Sequence, residues 1–300
     1  MFVADDAGDL AEARAFHKRI AGADNNVAIG LSRLGLRVGY VSRVGADSFG
    51  RFIVATLERE GLDCSRVTMD PQYPTGFQLK AKALAGEDPQ VEYFRRGSAA
   101  SRLSVADFDA EYFLSARHLH ATGIPPALSD SARELSEHAL QHMRTAGATV
   151  SFDPNLRPSL WPSREVMVAE LNRLASHANW VLPGLAEGRI LTGRDSPRDI
   201  AGFYLERGAE AVAIKLGPDG AYFRTTEDEG TVPGYKVAKV VDTVGAGDGF
   251  AVGFVSARLE GRAVAAAAAR GNLIGAQAVQ VVGDMEGLPS RARLDELEAT

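Results

Sequence analysis

The stretch that decides the fold is residues 241–250, which read Val-Asp-Thr-Val-Gly-Ala-Gly-Asp-Gly-Phe. Apolar residues recur at helical spacing over residues 250–259, so this stretch predicts a loop that turns into a helix. The first N–H groups of a helix lack partners within it, and the helix dipole makes that end positive. The sequence therefore predicts an anion site formed by the amides of Gly245, Ala246 and Gly247.

A carboxylate follows this predicted anion site directly, at Asp248. A negative charge beside a bound phosphate is unfavourable unless the side chain has a chemical role. Taking the proton from a hydroxyl that attacks phosphorus is such a role. The alternative is a simple strand-to-helix turn with an acidic residue in its first helical turn, which explains most Gly-Ala-Gly tripeptides.

Composition excludes several classes of protein. A chain of 300 residues that is 45% hydrophobic predicts one large domain, or one domain plus a small appendage. The net charge of -6 gives no basic surface for nucleic acid. Cys64 is the only cysteine, which agrees with a reducing cytosol, although many exported proteins also lack disulfides. With no apolar run near the ~20 residues that span a bilayer, we expect a soluble cytoplasmic protein.

Strand-like and helix-like segments alternate along most of the chain. The predicted strands are residues 37–44, 118–122, 149–153, 180–183 and 211–216. The predicted helices are residues 26–34, 129–146, 165–177 and 197–207. Short apolar strands separated by helices predict a parallel sheet covered on both faces, with ligands at the carboxyl ends of its strands.

A different pattern occupies residues 73–96. Apolar and polar residues alternate over residues 77–82, residues 86–89 predict a turn, and residues 91–95 return. This pattern predicts an antiparallel hairpin with one wet face, joined by part of the first twenty residues. The predicted division of the chain is a core of residues 23–72 and 99–300, and a discontinuous β-sheet lid of residues 1–22 and 73–98.

Residues 241–250 closely resemble the C-terminal signature of the ribokinase-like (phosphofructokinase-B) carbohydrate kinases, and the resemblance runs from about residue 3 to residue 289. It implies a doubly wound, mostly parallel α/β sheet with helices on both faces, plus a small β-sheet lid. It also implies ATP and Mg²⁺ as cofactors and a monovalent cation near Asp242 and Thr243. In such a kinase Asp248 is the base, and the three amides before it hold the charge that develops on the phosphoryl group.

The string Gly-Ala-Asp-Asn-Asn, from Gly22 to Asn26, resembles the N-terminal glycine-rich segment of this family. Asn26 matches the sugar-contacting asparagine, and Gly22 and Ala23 would let a sugar approach the backbone. The alternative is a capped helix start, with Asp24 or Asn25 as the N-cap residue. Both interpretations can hold together.

Three further stretches resemble the 2-keto-3-deoxygluconate kinases of the family. They are Pro-Thr-Gly at residues 74–76, Tyr-Phe-Arg-Arg-Gly-Ser-Ala-Ala-Ser at residues 93–101 and Asp-Pro-Asn-Leu-Arg-Pro-Ser-Leu-Trp at residues 153–161. The resemblance implies transfer of phosphate from ATP to the C6 hydroxyl of that sugar acid. Its carboxylate suits the planar fork of arginine, so Arg95 and Arg157 are candidate ligands, with Tyr93 on the same strand face as Arg95. The alternatives are a solvated surface position for Arg95 and an ion pair with Asp153 for Arg157.

The resemblance also implies nucleotide contacts. Lys215, Gly217 and Gly220 fall in a strand-turn-strand beside the ATP, and Asn272 and Gly275 fall in a helix near the adenine. The alternatives are an ordinary glycine hairpin and, for Asn272, a buried polar residue that caps a helix turn.

Departures from the family pattern affect the metal and the lid. Glu187 keeps the acidic position of an Asn-x-x-Glu motif that organises magnesium through water, but Gly184 replaces its asparagine. We therefore expect the metal to depend more on Glu187 and the phosphates. Gln78 replaces a tyrosine of the lid strand. Family members also usually have a further strand before the segment that residues 1–4 match.

Two other functions stay open from the residues alone. One is a kinase of a neutral sugar such as fructose or ribose, and the other is a catalytically silent sugar or nucleotide sensor. We expect small-molecule partners, no nucleic acid, no membrane, and a homo-oligomer formed through the lid sheet, since an exposed hairpin edge can pair with a second copy.

Overall fold

The computed structural model describes residues 1–82 and 89–299. Its strands are β1 (Phe2–Ala4), β2 (Phe16–Lys18), β3 (Gly39–Gly45), β4 (Asp63–Asp70), β5 (Phe77–Lys80), β6 (Val91–Phe94), β7 (His118–Thr122), β8 (Thr149–Asp153), β9 (Trp180–Val181), β10 (Ala211–Lys215), β11 (Ala221–Arg224) and β12 (Glu229–Val232). Its α-helices are α1 (Ala23–Arg33), α2 (Ser48–Arg59), α3 (Ala110–Leu114), α4 (Pro125–Leu128), α5 (Asp130–Thr145), α6 (Arg164–Ala175), α7 (Leu185–Thr192), α8 (Pro197–Leu205), α9 (Ala246–Leu259), α10 (Val264–Ala278) and α11 (Arg291–Glu298).

The chain divides into two compact units. The first unit consists of Met1–Arg102, Lys236–Val252 and Leu273–Thr300, and the second of Leu103–Tyr235 and Gly253–Asn272. Helices α9 and α10 each contribute residues to both units. The proposed division into a core and a lid stays a prediction, because these units follow a different boundary. Within the described residues, no helix is both long and apolar enough to cross a membrane.

The first unit contains a four-stranded sheet in the order β2-β1-β5-β6. Strand β5 runs antiparallel to β6, which confirms the predicted hairpin, and parallel to β1. Strands β1 and β2 confirm that part of the first twenty residues joins this sheet. The turn predicted at residues 86–89 falls largely on residues 83–88, outside the described residues. The prediction that one face of the hairpin is solvated is wrong at Lys80, which is buried.

Strand β3 confirms a strand near residues 37–44, but it pairs in parallel with β4 in a separate two-stranded sheet. The pattern of apolar residues predicts that a segment forms a strand, but it does not predict which strand pairs with it. Any adjacent strand that buries the same face would be compatible with the same pattern. Helix α2, between these two strands, was not predicted from the sequence.

The second unit contains a six-stranded sheet in the order β12-β11-β10-β9-β8-β7. Strands β7 to β10 run parallel to one another, and β11 and β12 continue the sheet antiparallel. Strands β7 and β8 coincide with the predictions for residues 118–122 and 149–153. The centre of the sheet is apolar on both faces, as in β10, where Val212, Ala213 and Ile214 are fully buried.

Asp47 connects three parts of the first unit. Its carboxylate caps α2 by accepting the N–H groups of Phe49 (3.0 Å) and Gly50 (2.8 Å). It also accepts the N–H and the hydroxyl of Thr75, both at 2.8 Å, and that hydroxyl accepts the N–H of Gly45 at 2.9 Å. Burial opposes the ionised form, but these hydrogen bonds outweigh it, so the pKa of the Asp47 carboxyl lies below its ordinary value.

We expect Asp47→Ala to lower the free energy of unfolding by about 1–2 kcal/mol at pH 7, the usual effect of losing a side-chain cap. The lowered pKa of the folded state makes this stabilisation complete above about pH 4 and weaker as the pH falls through that pKa. Urea unfolding of both proteins at neutral and acidic pH measures the difference. The exposed Asp6 provides a control variant, Asp6→Ala. A difference that does not change with pH would contradict the role of the ionised carboxylate.

Candidate active site

The predicted loop-to-helix transition is confirmed, because α9 begins at Ala246. Gly245 precedes the helix with a φ of 84°, in the left-handed region. A Cβ atom at this position would collide with the carbonyl oxygen of Asp284, so both the conformation and the space require glycine. The N–H groups of the first turn have no acceptor within the helix, which suits them to an anion.

Asp248 lies in this first turn and is 8% exposed. The Nδ2 group of Asn26 donates a hydrogen bond of 2.7 Å to its Oδ2 atom. Asn26 is 1% exposed, and its own Oδ1 atom is buried without a hydrogen-bond partner among the described residues. Buried polar atoms are rarely left unsatisfied, so this acceptor beside the carboxylate marks a place for a ligand hydroxyl.

A close approach of α1 and α9 brings these two side chains together. Gly30 lies one turn after Asn26, and Val252 lies one turn after Asp248. A Cβ atom on Gly30 would collide with the Val252 side chain, lying 2.9 Å from Cγ1. The absence of a side chain at Gly30 therefore sets the distance between the helices at the turn next to the hydrogen bond.

The N-cap of α1 differs from the predicted alternative. Gly22 occupies it with a φ of 139°, and its carbonyl accepts the N–H of Asn26 at 2.8 Å. Asp24 and Asn25 lie inside the helix, so neither is the cap. Glycine replaces the usual polar cap because the chain enters the helix through a positive φ. Ala23 is buried directly behind it.

Tyr93 and Arg95 share a face, as predicted. The guanidinium carbon of Arg95 lies 4.1 Å from the centroid of the Tyr93 ring, in a cation–π contact. Tyr93 is exposed at the edge strand β6, while Arg95 is half-buried just after that strand. This arrangement differs from a freely solvated arginine, because the ring holds the guanidinium in one orientation.

The second unit has its own polar cluster at the carboxyl ends of two sheet strands. Lys215, at the end of β10, donates from Nζ to Oδ2 of the buried Asp153, at the end of β8, over 2.7 Å. The ion pair suggested for Arg157 is therefore replaced, since Asp153 pairs with Lys215. The guanidinium of Arg157 instead donates to the carbonyl of Leu156 at 2.8 Å.

Glu187 secures the loop that carries Arg157. Its Oε2 accepts the N–H of Gly184, the N-cap residue of α7, at 2.7 Å, and its Oε1 accepts the N–H of Leu156 at 2.8 Å. Within the described residues, no three His, Cys, Asp or Glu side chains form a metal-binding group.

The predicted nucleotide residues of the second unit occupy different surroundings. Gly217 has a φ of 63°, and among the described residues, apart from its chain neighbours, none places a heavy atom within 4 Å of where its Cβ would be. Gly220 has a φ of 103°, and a Cβ there would collide with the carbonyl oxygen of Val232. Asn272 donates from Nδ2 to the carbonyls of Val232 and Pro233, both at 3.1 Å. Its nucleotide contact stays a prediction beside this tethering role.

Gly275 lies in the first unit, where a Cβ atom would stand 3.0 Å from the carbonyl oxygen of Ala246. Gly249 in turn approaches the carbonyl of Ile274, with a built Cβ at 3.2 Å. Helix α10 therefore packs closely against the first turn of α9 through two glycines. Gly275 thus permits this contact, and its contact with a nucleotide stays a prediction.

Sequence reasoning missed Lys80. Its side chain is 1% exposed, and Nζ lies 2.6 Å from Oδ2 of Asp242 and 3.4 Å from Oδ1 of Asp284. A lysine in an alternating strand normally indicates a solvated face, so the pattern offered no warning. The only available signal was Asp242 itself, a carboxylate in an apolar context that needs a positive partner.

The family model of the pfkB family carbohydrate kinases matches residues 1–291. The chain is a pfkB family carbohydrate kinase. The kinase is 53% identical over 295 residues to the 2-dehydro-3-deoxygluconokinase of Bacillus subtilis (strain 168), covering 98% of this chain and 91% of that one. It matches the crystal structure of a PfkB protein from Polaromonas sp. JS666 with a TM-score of 0.91 and 52% identity, covering 98% of this chain and 95% of that one.

A third relative is a fructokinase from Vibrio cholerae O395, whose crystal structure contains fructose, ADP and a calcium ion. The kinase matches it with a TM-score of 0.85 and 29% identity, covering 99% of this chain and 96% of that one. These matches confirm the predicted family and the ribokinase-like α/β fold.

We expect Gly30→Ala to force α1 and α9 of the kinase apart. The added methyl overpacks the contact with Val252, which should cost about 1–3 kcal/mol of stability. It should also reduce turnover by moving Asn26 away from Asp248. Because Val252→Ala removes the clashing methyl groups, the double variant should recover much of both losses.

Thermal unfolding and steady-state turnover of the single and double variants measure this coupling. The control is Gly202→Ala in α8, where the new methyl would meet only the flexible end of Arg224 at 3.1 Å. If the losses of stability and turnover in the double variant equal the sum of those in the single variants, the contact between the helices does not position Asn26 and Asp248.

Proposed function

We propose that this kinase transfers the γ-phosphoryl group of ATP to the C6 hydroxyl of 2-dehydro-3-deoxygluconate, also called 2-keto-3-deoxygluconate. The observation that carries the proposal is the buried Asp248 in the first turn of α9, oriented by Asn26. The 53% identity to a 2-dehydro-3-deoxygluconokinase supports the choice of acceptor.

In the proposed reaction, Asp248 takes the proton of the acceptor hydroxyl as its oxygen attacks the γ-phosphorus. The hydrogen bond from Asn26 fixes the carboxylate and avoids a reorientation at the moment of transfer. The amides at Gly245, Ala246 and Gly247 face the charge that develops on the transferred group. The hydroxyl proton thus moves to Asp248 while the phosphoryl group passes to the sugar oxygen.

Recognition of the acid is assigned to arginine. The guanidinium of Arg95 is held over Tyr93 and can bind a carboxylate through two parallel hydrogen bonds. Arg157, on the loop secured by Glu187, is the second candidate for the acid group. Gly22, Ala23 and Asn26 are the proposed contacts to the remainder of the sugar.

The nucleotide is proposed to be ATP with Mg²⁺. The ADP and calcium ion in the related fructokinase structure support a nucleotide and a divalent ion. The proposed nucleotide contacts are Lys215, Gly217, Gly220, Gly245, Gly247, Asn272 and Gly275. Both oxygens of Glu187 hold backbone N–H groups, yet each keeps a second lone pair that can bind a metal-bound water. When bound, the ion neutralises phosphate charge.

A kinase of a neutral sugar is the second candidate, and the related fructokinase with bound fructose favours it. A silent sensor is disfavoured, since it would not need the buried Asp248. We also propose a cytoplasmic homo-oligomer that forms through the edge strand β6, where Tyr93 and Phe94 are 42% and 48% exposed.

We expect Asp248→Asn to lower kcat by about 10²–10⁴-fold without unfolding the protein, because the amide cannot accept the hydroxyl proton. A coupled ATP-turnover assay with 2-dehydro-3-deoxygluconate measures the rate, and thermal unfolding verifies the fold. The exposed Asp228→Asn variant is the control for the same change elsewhere. Near-normal turnover of Asp248→Asn would remove this residue from the mechanism.

We expect Arg95→Ala and Arg157→Ala each to raise the KM for the sugar acid by about 10-fold or more, the value of one charge-assisted hydrogen bond. The KM for ATP should change little. The neighbouring exposed Arg96→Ala tests for a general effect of lost charge. A panel of sugar acids and neutral sugars completes the test. Unchanged KM values, together with preferential turnover of fructose or ribose, would favour the neutral-sugar kinase.

A further inference from the structure

A buried ammonium lies beneath the start of α9. Lys80 projects from β5 and contacts two buried carboxylates, with its Nζ atom 2.6 Å from Asp242 and 3.4 Å from Asp284. All three residues are at most 4% exposed. Burying an ammonium costs considerable free energy unless it is paired, so this lysine depends on its partners and they depend on it. We call this group the Lys80 triad.

The Lys80 triad contacts two chain segments beside Gly245. One is residues 242–244, which precede it in sequence, and the other is residues 283–284, which lie against it in space. The other oxygen of Asp242 accepts the N–H of Val244 at 3.1 Å, and its Oδ2 also receives the N–H of Gly283 at 3.4 Å. The carbonyl of Asp284 lies against Gly245, close enough to exclude a Cβ atom there. The ammonium therefore links the two backbone segments next to Gly245, where the predicted phosphate-binding amides begin.

The charges explain why a cation is needed at this place. Two carboxylates near a phosphate-binding helix end would repel the phosphates that the helix end attracts. Burial raises the pKa of the Asp284 carboxyl, and the positive charge of Lys80 opposes that rise. A monovalent cation beside Asp242 does not fit this arrangement, because the ammonium already supplies one positive charge and occupies the Oδ2 atom of Asp242.

We propose that the Lys80 ammonium takes the place of a monovalent cation in this kinase, as a positioning residue for the amides of Gly245 to Gly247, and so makes phosphoryl transfer independent of K⁺. The proposal requires only the phosphoryl-transfer step of the proposed function and is indifferent to which sugar accepts the phosphate. The lysine acts through Asp242 and Asp284 and touches neither substrate.

The first experiment uses the unaltered kinase. Turnover is measured in tetramethylammonium chloride and in KCl, at a constant ionic strength of about 0.1 M. The melting temperature is measured in the same two salts. We expect the rate to agree within about twofold, far below the 10²–10³-fold effect of a missing electrostatic contact, and the melting temperature to show no response specific to K⁺.

The second experiment removes the ammonium in two ways. Lys80→Met keeps the volume without the charge, and Lys80→Ala leaves a cavity that a small alkylammonium ion can enter. Both variants should lose about 10²-fold in kcat. Ethylammonium should recover about 10-fold of that loss in Lys80→Ala and raise its melting temperature, but should do neither in Lys80→Met. The control is Lys82→Met, because Lys82 is exposed and bonds only to the carbonyl of Asp5 in the described contacts.

Activation of the unaltered kinase several-fold by K⁺ would overturn the proposal, and so would a kcat of Lys80→Met within about twofold of the original. If neither Lys80 variant folds, the K⁺ response of the unaltered protein decides the question. If the kinase phosphorylates a neutral sugar instead of the sugar acid, the assigned acceptor is wrong, and the same comparisons with that sugar still test Lys80. If no acceptor is found, a K⁺-specific rise in the melting temperature overturns the proposal, and its absence supports it.

Discussion

The constraint on which the candidate active site depends is the close contact between α1 and α9. Gly30 lets the Val252 side chain enter the surface of α1, and one turn earlier Asn26 meets Asp248 at 2.7 Å. The proposed base thus lies on one helix and the residue that orients it lies on another, so neither helix alone contains the candidate site. Packing between helices is short-range and steep, which makes it well suited to fix a hydrogen bond that needs sub-ångström placement.

In each unit, a lysine from a strand pairs with a buried carboxylate. In the first unit Lys80 reaches Asp242, and in the second Lys215 reaches Asp153. Both pairs lie next to backbone that carries proposed ligand contacts. An internal lysine differs from a dissolved ion because its concentration at the site does not vary, and the chain bears the cost of its desolvation during folding.

Sequence reasoning found most of what has a local signature. The loop-to-helix turn at Gly245, the hairpin of β5 and β6, and the strands β7 and β8 all follow from spacing and composition. It failed where the answer depends on distant parts of the chain. The pairing of β3 with β4 could not be read from either strand, because partner choice is a property of the folded sheet.

The burial of Lys80 was hidden for a similar reason. Its partners are 162 and 204 residues away in sequence, so no local pattern separates it from an ordinary surface lysine. The N-cap of α1 failed differently, since a polar side chain is the usual cap but the backbone angle at Gly22 selected glycine. Charged residues that face inward, and backbone angles of unusual sign, are thus the features that a single sequence conceals.

One consequence follows from the pairing of β5 with β6. Lys80 stands opposite Val91, and two residues along the same ladder Gln78 stands opposite Tyr93, whose ring supports Arg95. A single hairpin therefore carries both the aromatic ring that supports the proposed acceptor ligand and the lysine proposed to replace a monovalent cation. Lineages that remodel this hairpin for a new sugar would tend to alter their ionic requirements at the same time, and laboratory redesign of the hairpin carries the same linkage.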